Sequence, residues 1–124
     1  YSPAKHEIVL PPFDRFDTEG DYYVTAFHEL IHSTAIELGR TFGSGINSYS
    51  TEELVAEVGA CFLAVEFGVQ GSCLDNHAAY LEHWISMLKE DLSVLHEAHV
   101  YADQAVKHLL QFTQVNYNTS LIVL

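Results

Sequence analysis

Residues 24–32 read Val24-Thr25-Ala26-Phe27-His28-Glu29-Leu30-Ile31-His32. Val24, Phe27 and Ile31 recur at the spacing of a helix with one buried stripe. On that helix His28 and His32 are four residues apart, so they lie one turn apart on the same face. Two imidazoles so placed can reach one metal ion at about 2.0–2.1 Å. Glu29, next to the first histidine, projects alongside, close enough to hold a water on the metal. The donor types suit zinc, which keeps one position open for water when a site is catalytic.

Such a site needs a third protein ligand, and residues 52–57 offer Glu52-Glu53-Leu54-Val55-Ala56-Glu57. Glu53 and Glu57 are four apart and share a helical face. One of them can bind the metal while the other orients a ligand histidine from behind. Glu53 is the expected ligand and Glu57 the expected support. The reverse assignment stays open, as does a capping-box role for Glu53 opposite Ser50.

Outward from these two segments the chain reads as mostly helical. The first helix is expected over 19–38, capped by Thr18 with Asp21 three residues on and stopped by Gly39. The Gly- and Ser-rich stretch 39–50 reads as a loop. A second helix is expected over 51–67, with Leu54, Val58, Cys61, Phe62 and Val65 as its apolar face and Gly68 as its end. A third should cover 76–90, with Tyr80, Trp84 and Leu88 on one side. A fourth should cover 94–112, with Leu95, Ala98, Ala102, Val106 and Leu109 in register. Glu7-Ile8-Val9-Leu10 carries a strand signal, stopped by Pro11-Pro12. That strand can serve as an edge along which an extended peptide lies. The expectation is therefore an α+β fold of about four helices with a small sheet near the N-terminus. Residues 1–112 form the domain, and 113–124 form a tail of unassigned role.

The bulk composition excludes several classes of function. The 124 residues fit one domain, and 48% hydrophobic content supports a core. Net charge is −12, from 5 basic and 17 acidic residues. A surface this acidic repels phosphate backbones and anionic lipid, so neither nucleic acid nor membrane is an expected partner of this domain alone. No apolar run approaches the ~20 residues that span a bilayer. Cys61 and Cys73 do not make a disulfide framework, and Cys61 reads as a reduced core residue, which points to the cytoplasm. The chain lacks an initiator Met and reads as a piece of a longer protein.

The pairing of HELIH with EELVAE resembles the gluzincin branch of the zincins, whose third ligand is a Glu on the next helix. More narrowly, the chain is similar to the zincin-like metallopeptidase domain of ArdC-type antirestriction proteins. The matching stretches are YSPAKHEIVLPP, YYVTAFHELIH, EELVAEVGACFL and NHAAYLEHWISMLKEDLSVLHEAHVYADQAVKHLL, reaching about residue 112. The resemblance implies a zincin fold, a plasmid or mobile-element setting, and proteolysis of a protein or peptide substrate. In that family the domain follows one that binds single-stranded DNA, which is absent from this sequence.

Two residues under the same resemblance, His77 and Tyr80, are candidates to donate to a developing oxyanion. Tyr49 is another. The expected chemistry is zinc-dependent peptide hydrolysis with Glu29 as general base. A zinc-stabilised module that only binds protein is the alternative. A ferritin-like di-iron bundle also uses the Glu29-x-x-His32 pattern, but it needs a second such element and the sequence has none. His96-Glu97-Ala98-His99 is one residue too short for a second metal motif and reads as a solvated face. His6, His83 and His108 read as surface residues, Trp84 as core. Asn118-Thr119-Ser120 matches a glycosylation acceptor, a pattern too short to weigh.

Overall fold

In a computed structural model of the chain, the described residues are 1–41, 46–69, 78–79, 82–83, 85–86 and 92–122. They contain a short 3-10 turn at Phe13–Arg15 and three α-helices: α1 (Glu19–Ser33), α2 (Ile46–Glu66) and α3 (Leu92–Ile122).

Helix α1 begins where the sequence placed it. Thr18 holds extended backbone angles, and its side chain accepts the N–H of Asp21 at 3.1 Å. Acidic Glu19 and Asp21 in the first turn complement the helix dipole. The helix ends at Ser33, five residues short of expectation. Ser33 and Thr34 donate their hydroxyls to the carbonyls of Leu30 and Ile31, each at 2.7 Å, which offers the backbone an exit from the helix. Turns follow as far as Gly39. Its φ of +72° lets the N–H groups of Gly39 and Arg40 close back on the carbonyls of Ile36 and Ala35. This closure delivers Arg40 beneath the end of α1.

Helix α2 starts at Ile46 rather than 51, so part of the stretch read as loop is helical. Ser50 therefore lies inside the helix, buried, and does not cap it. Gly68, at φ +64°, ends the helix as expected. The expected apolar face is only partly correct. Leu54 is buried, but Val65 is 81% exposed, and Val55, Ala56, Ala60, Leu63 and Ala64 are buried instead. The cause is the helix's position. It packs against both α1 and α3, which touch each other little, so a single stripe does not describe it.

Contacts on both sides are close. A Cβ at Gly59 would lie 2.7 Å from Ile31 Cδ1 and 2.8 Å from its Cγ1, so the Ile31 side chain of α1 packs directly on the backbone of α2. On the other side Ala98, Ala102 and Ala105 of α3 are fully buried in the same cluster as Leu54, Val55 and Leu63.

The small N-terminal sheet is not found. Among the described residues there is no strand, and Ser2 and Glu7 form one isolated antiparallel bridge. Pro11 and Pro12 lack N–H donors, and among the described residues 7–10 meets no strand with which to pair. The expected substrate edge is not formed either. Of the expected third helix, residues 78–79, 82–83 and 85–86 are helical, while Tyr80, Trp84 and Leu88 lie outside the described residues. The described fold is thus mostly helical, with three helices given from end to end and no sheet among the described residues. Helix α3 starts at Leu92 and continues through Ile122, beyond the expected stop at 112. No helix among the described residues is long and apolar enough to cross a membrane.

Candidate metal centre

The α1–α2 crossing brings five titratable side chains together. His28 and His32 come from one face of α1, and Glu52, Glu53 and Glu57 come from α2. The two Nε2 atoms face each other at 3.1 Å. One carboxylate meets both: Glu53 Oε2 is 3.5 Å from His28 Nε2, and Oε1 is 3.4 Å from His32 Nε2. The far nitrogens each have a carboxylate of their own. Glu57 Oε1 is 3.1 Å from His28 Nδ1, and Glu52 Oε1 is 3.1 Å from His32 Nδ1.

The helical repeat explains this division. Glu53 and Glu57 are one turn apart and reach the two nitrogens of the same His28 ring. Glu52, one residue earlier, points about 100° away around the helix, behind His32.

Burial makes each of these contacts necessary. His32, Glu52 and Glu57 are buried, His28 and Glu53 nearly so. A buried carboxylate without a partner would be costly. Burial alone would lower the pKa of His28, but the hydrogen bonds it donates to the Glu53 and Glu57 carboxylates, and their charges, outweigh it and raise it to about 9. Burial likewise acts to lower His32, and Glu52 and Glu53 outweigh it, leaving a net rise. Burial acts to raise Glu53, but the two histidines pull it down to about 2. Glu52 is also lowered on balance, against burial, by His32 and Arg40.

The donor set fits a tetrahedral metal. Two ligand atoms each about 2.0–2.1 Å from one ion at the tetrahedral angle lie about 3.4 Å apart. One donor atom from each of His28, His32 and Glu53 lies within 4.8 Å of the other two. Two imidazole nitrogens and a carboxylate are donors that zinc accepts, with one position left over.

The remaining candidates are placed unevenly. Glu29, half-buried on α1, contacts the backbone nitrogen of Tyr1. Tyr49 is exposed, one helical turn before Glu53, whose hydrogen bond and charge accompany a raised phenol pKa; the charge is the largest cause. His77 and Tyr80 lie outside the described residues. His96, Glu97 and His99 are exposed along α3, as a solvated face should be. His6 is exposed and bonded to the Tyr1 hydroxyl, and His108 pairs with Glu37 at 2.7 Å.

Two members of the site had no assigned role in the sequence. Glu52 stood in the EELVAE string with its neighbours favoured, and Arg40 was not singled out. A signal for Glu52 did exist. A ligand histidine needs its other nitrogen held, and only one of the two rings had been given a holder.

Residues 1–101 match the zincin-like metallopeptidase family. The chain belongs to that family. Curated relatives of this zincin-like chain include two Escherichia coli proteins, each called DNA primase TraC. They are 36% and 33% identical over 120 residues, or 92% of this chain, which spans 11% and 8% of their respective lengths. An uncharacterized protein, y4eC, from Sinorhizobium fredii (strain NBRC 101917 / NGR234) is 24% identical over 110 residues, covering 84% of this chain and 35% of its own. No solved structure matches the zincin-like chain.

Proposed function

We propose that the domain is a zinc-dependent peptidase, with His28, His32 and Glu53 as ligands and Glu29 as general base. The observation that carries this reading is the convergence of three donors. Both Nε2 atoms and the Glu53 carboxylate meet at separations expected of neighbouring ligands on one tetrahedral ion. Membership of a zincin-like metallopeptidase family supports the metal and the reaction class.

A zinc ion bound there supplies Lewis-acid polarisation of a scissile carbonyl and lowers the pKa of water. The chain's own residues do the rest. Glu57 and Glu52 hold the Nδ1 sides of the two histidines and so direct both Nε2 atoms to one point. Glu29 takes the proton of the attacking water and later delivers it to the leaving amine. Tyr49, His77 and Tyr80 are the candidates to donate a hydrogen bond to the oxyanion.

The resemblance to ArdC-type antirestriction proteins supports a mobile-element setting, and in this reading the domain acts on protein or peptide in the cytoplasm. A second reading has one observation in its favour. The named relatives are called primases, and the chain spans about a tenth of their length, as suits a zinc-stabilised module that docks a larger machine onto a protein partner.

Glu29→Gln separates the two readings, because it keeps shape and removes the base. The peptidase reading expects the variant to retain zinc and fold while hydrolysis of a peptide library falls roughly 10²–10⁴-fold. Equal cleavage by both proteins at matched zinc content would remove Glu29 from the mechanism.

A further inference from the structure

The part of the site that neither the sequence nor the proposed mechanism accounts for is the buried Arg40. Its guanidinium is fully committed. Nε donates to Glu52 Oε2 at 2.9 Å, and Nη2 donates to Glu52 Oε1 at 3.0 Å, a two-pronged grip on one carboxylate. Nη2 also reaches the Ile31 carbonyl at 2.8 Å, and Nη1 reaches Thr34 Oγ1 at 3.1 Å. Glu52 Oε1 is the same atom that sits 3.1 Å from His32 Nδ1.

We infer that Arg40 is a positioning residue that acts through Glu52 to fix the ring of His32 and its tautomer. The inference rests on reading His28 and His32 as metal ligands. Glu52 is a buried carboxylate with two jobs, and the arginine fork settles where its oxygens lie. With Oε1 held, His32 donates from Nδ1, and the lone pair of Nε2 points toward His28 and Glu53. The relay also links elements. Arg40 ties the Ile31 carbonyl near the end of α1 to a carboxylate of α2, so the turn closed by Gly39 sets the height of His32 over Glu53. On the other ligand, Glu57 Oε1 sits 3.1 Å from His28 Nδ1, so the two rings are held by different carboxylates.

The rival explanation is that Arg40 merely clamps the end of α1. Lysine separates the two, since it keeps a buried charge but cannot grip both oxygens of Glu52. The experiment compares wild type, Arg40→Lys, Glu52→Gln, the double variant and Thr34→Val. Zinc affinity is measured by chelator competition, the visible spectrum on cobalt-substituted protein, and folding by circular dichroism without metal. Positioning through Glu52 predicts that Arg40→Lys and Glu52→Gln each lose roughly 10–100-fold in zinc affinity and shift the cobalt spectrum. The double variant should fall little further than the worse single one, because both cut the same chain. Thr34→Val, which removes one Arg40 contact and the hydroxyl's bond to the Ile31 carbonyl but leaves the grip on Glu52, should lose stability with affinity unchanged. A folded Arg40→Lys with wild-type affinity and spectrum overturns the inference and leaves the metal site standing. If Arg40→Lys does not fold, wild-type affinity and spectrum in Glu52→Gln overturn it. A wild-type chain that takes up no zinc removes the metal-site reading itself, and the positioning role with it.

Discussion

Glu53 and Glu57 share a helical face, and spacing alone could not say which one binds metal. The side chains separate them: Glu53 faces the two Nε2 atoms, and Glu57 faces the Nδ1 of His28. Glu53→Ala should therefore cost more zinc affinity than Glu57→Ala, whose loss should stay within roughly the 10–100-fold typical of a supporting partner. Chelator competition on both variants checks the order. The same residues set a pH window for the metal-free domain. His28 is raised to about 9 from 6.5, so its contribution is complete below pH 6.5 and is lost as pH rises through about 9. Glu53 is lowered to about 2 from 4.5, so its contribution is complete above pH 4.5 and is lost as pH falls toward 2. Metal-free stability, followed by denaturant titration at several pH values, should be greatest between these limits. A metal-free domain whose stability rises from pH 7 to pH 10 would contradict the pairing. At this scale the meeting of His28 and His32 was legible because their spacing is local. Glu52 and Arg40 were not, because their partnership crosses from a turn to the next helix and appears only once α1 stops at Ser33.

Helix ends were legible where a single residue sets them. The Thr18 cap and the Gly68 stop depend on backbone angles that those residues favour, whereas α1 ends at Ser33, before Gly39. The face of α2 was misread at Val65 because burial on two sides erases a stripe. The expected strand at 7–10 failed for a related reason: a short apolar run proposes a strand, but only a partner makes a sheet. The crossing itself is open to test. Gly59 admits Ile31 so closely that Gly59→Ala should overpack the crossing, at a cost of about 1–3 kcal/mol. Since Ile31 lies between His28 and His32, the variant should also weaken zinc binding. Adding Ile31→Val removes Cδ1, the atom that comes closest, and should recover part of the loss. Denaturant unfolding of the two singles and the double decides this. Strict additivity would mean that the crossing relaxes elsewhere.

For the molecule as a whole, charge and metal pull in different directions. A net charge of −12 gives little counterion release with a polyanion, so the domain alone should bind single-stranded DNA poorly at physiological salt. Submicromolar binding in a fluorescence anisotropy titration would contradict this. The same acidic excess favours uptake of a divalent cation, and binding to the folded state alone stabilises it, by about 4 kcal/mol when free metal is 1,000 times the Kd. Chelation should therefore lower the melting temperature in proportion to zinc affinity.

The most direct measurement is the zinc content of the purified domain and of His32→Ala, by elemental analysis after exhaustive dialysis against metal-free buffer. The convergence of His28, His32 and Glu53 predicts about one zinc per wild-type chain and a large loss in the variant. Full retention of metal by His32→Ala would contradict the site.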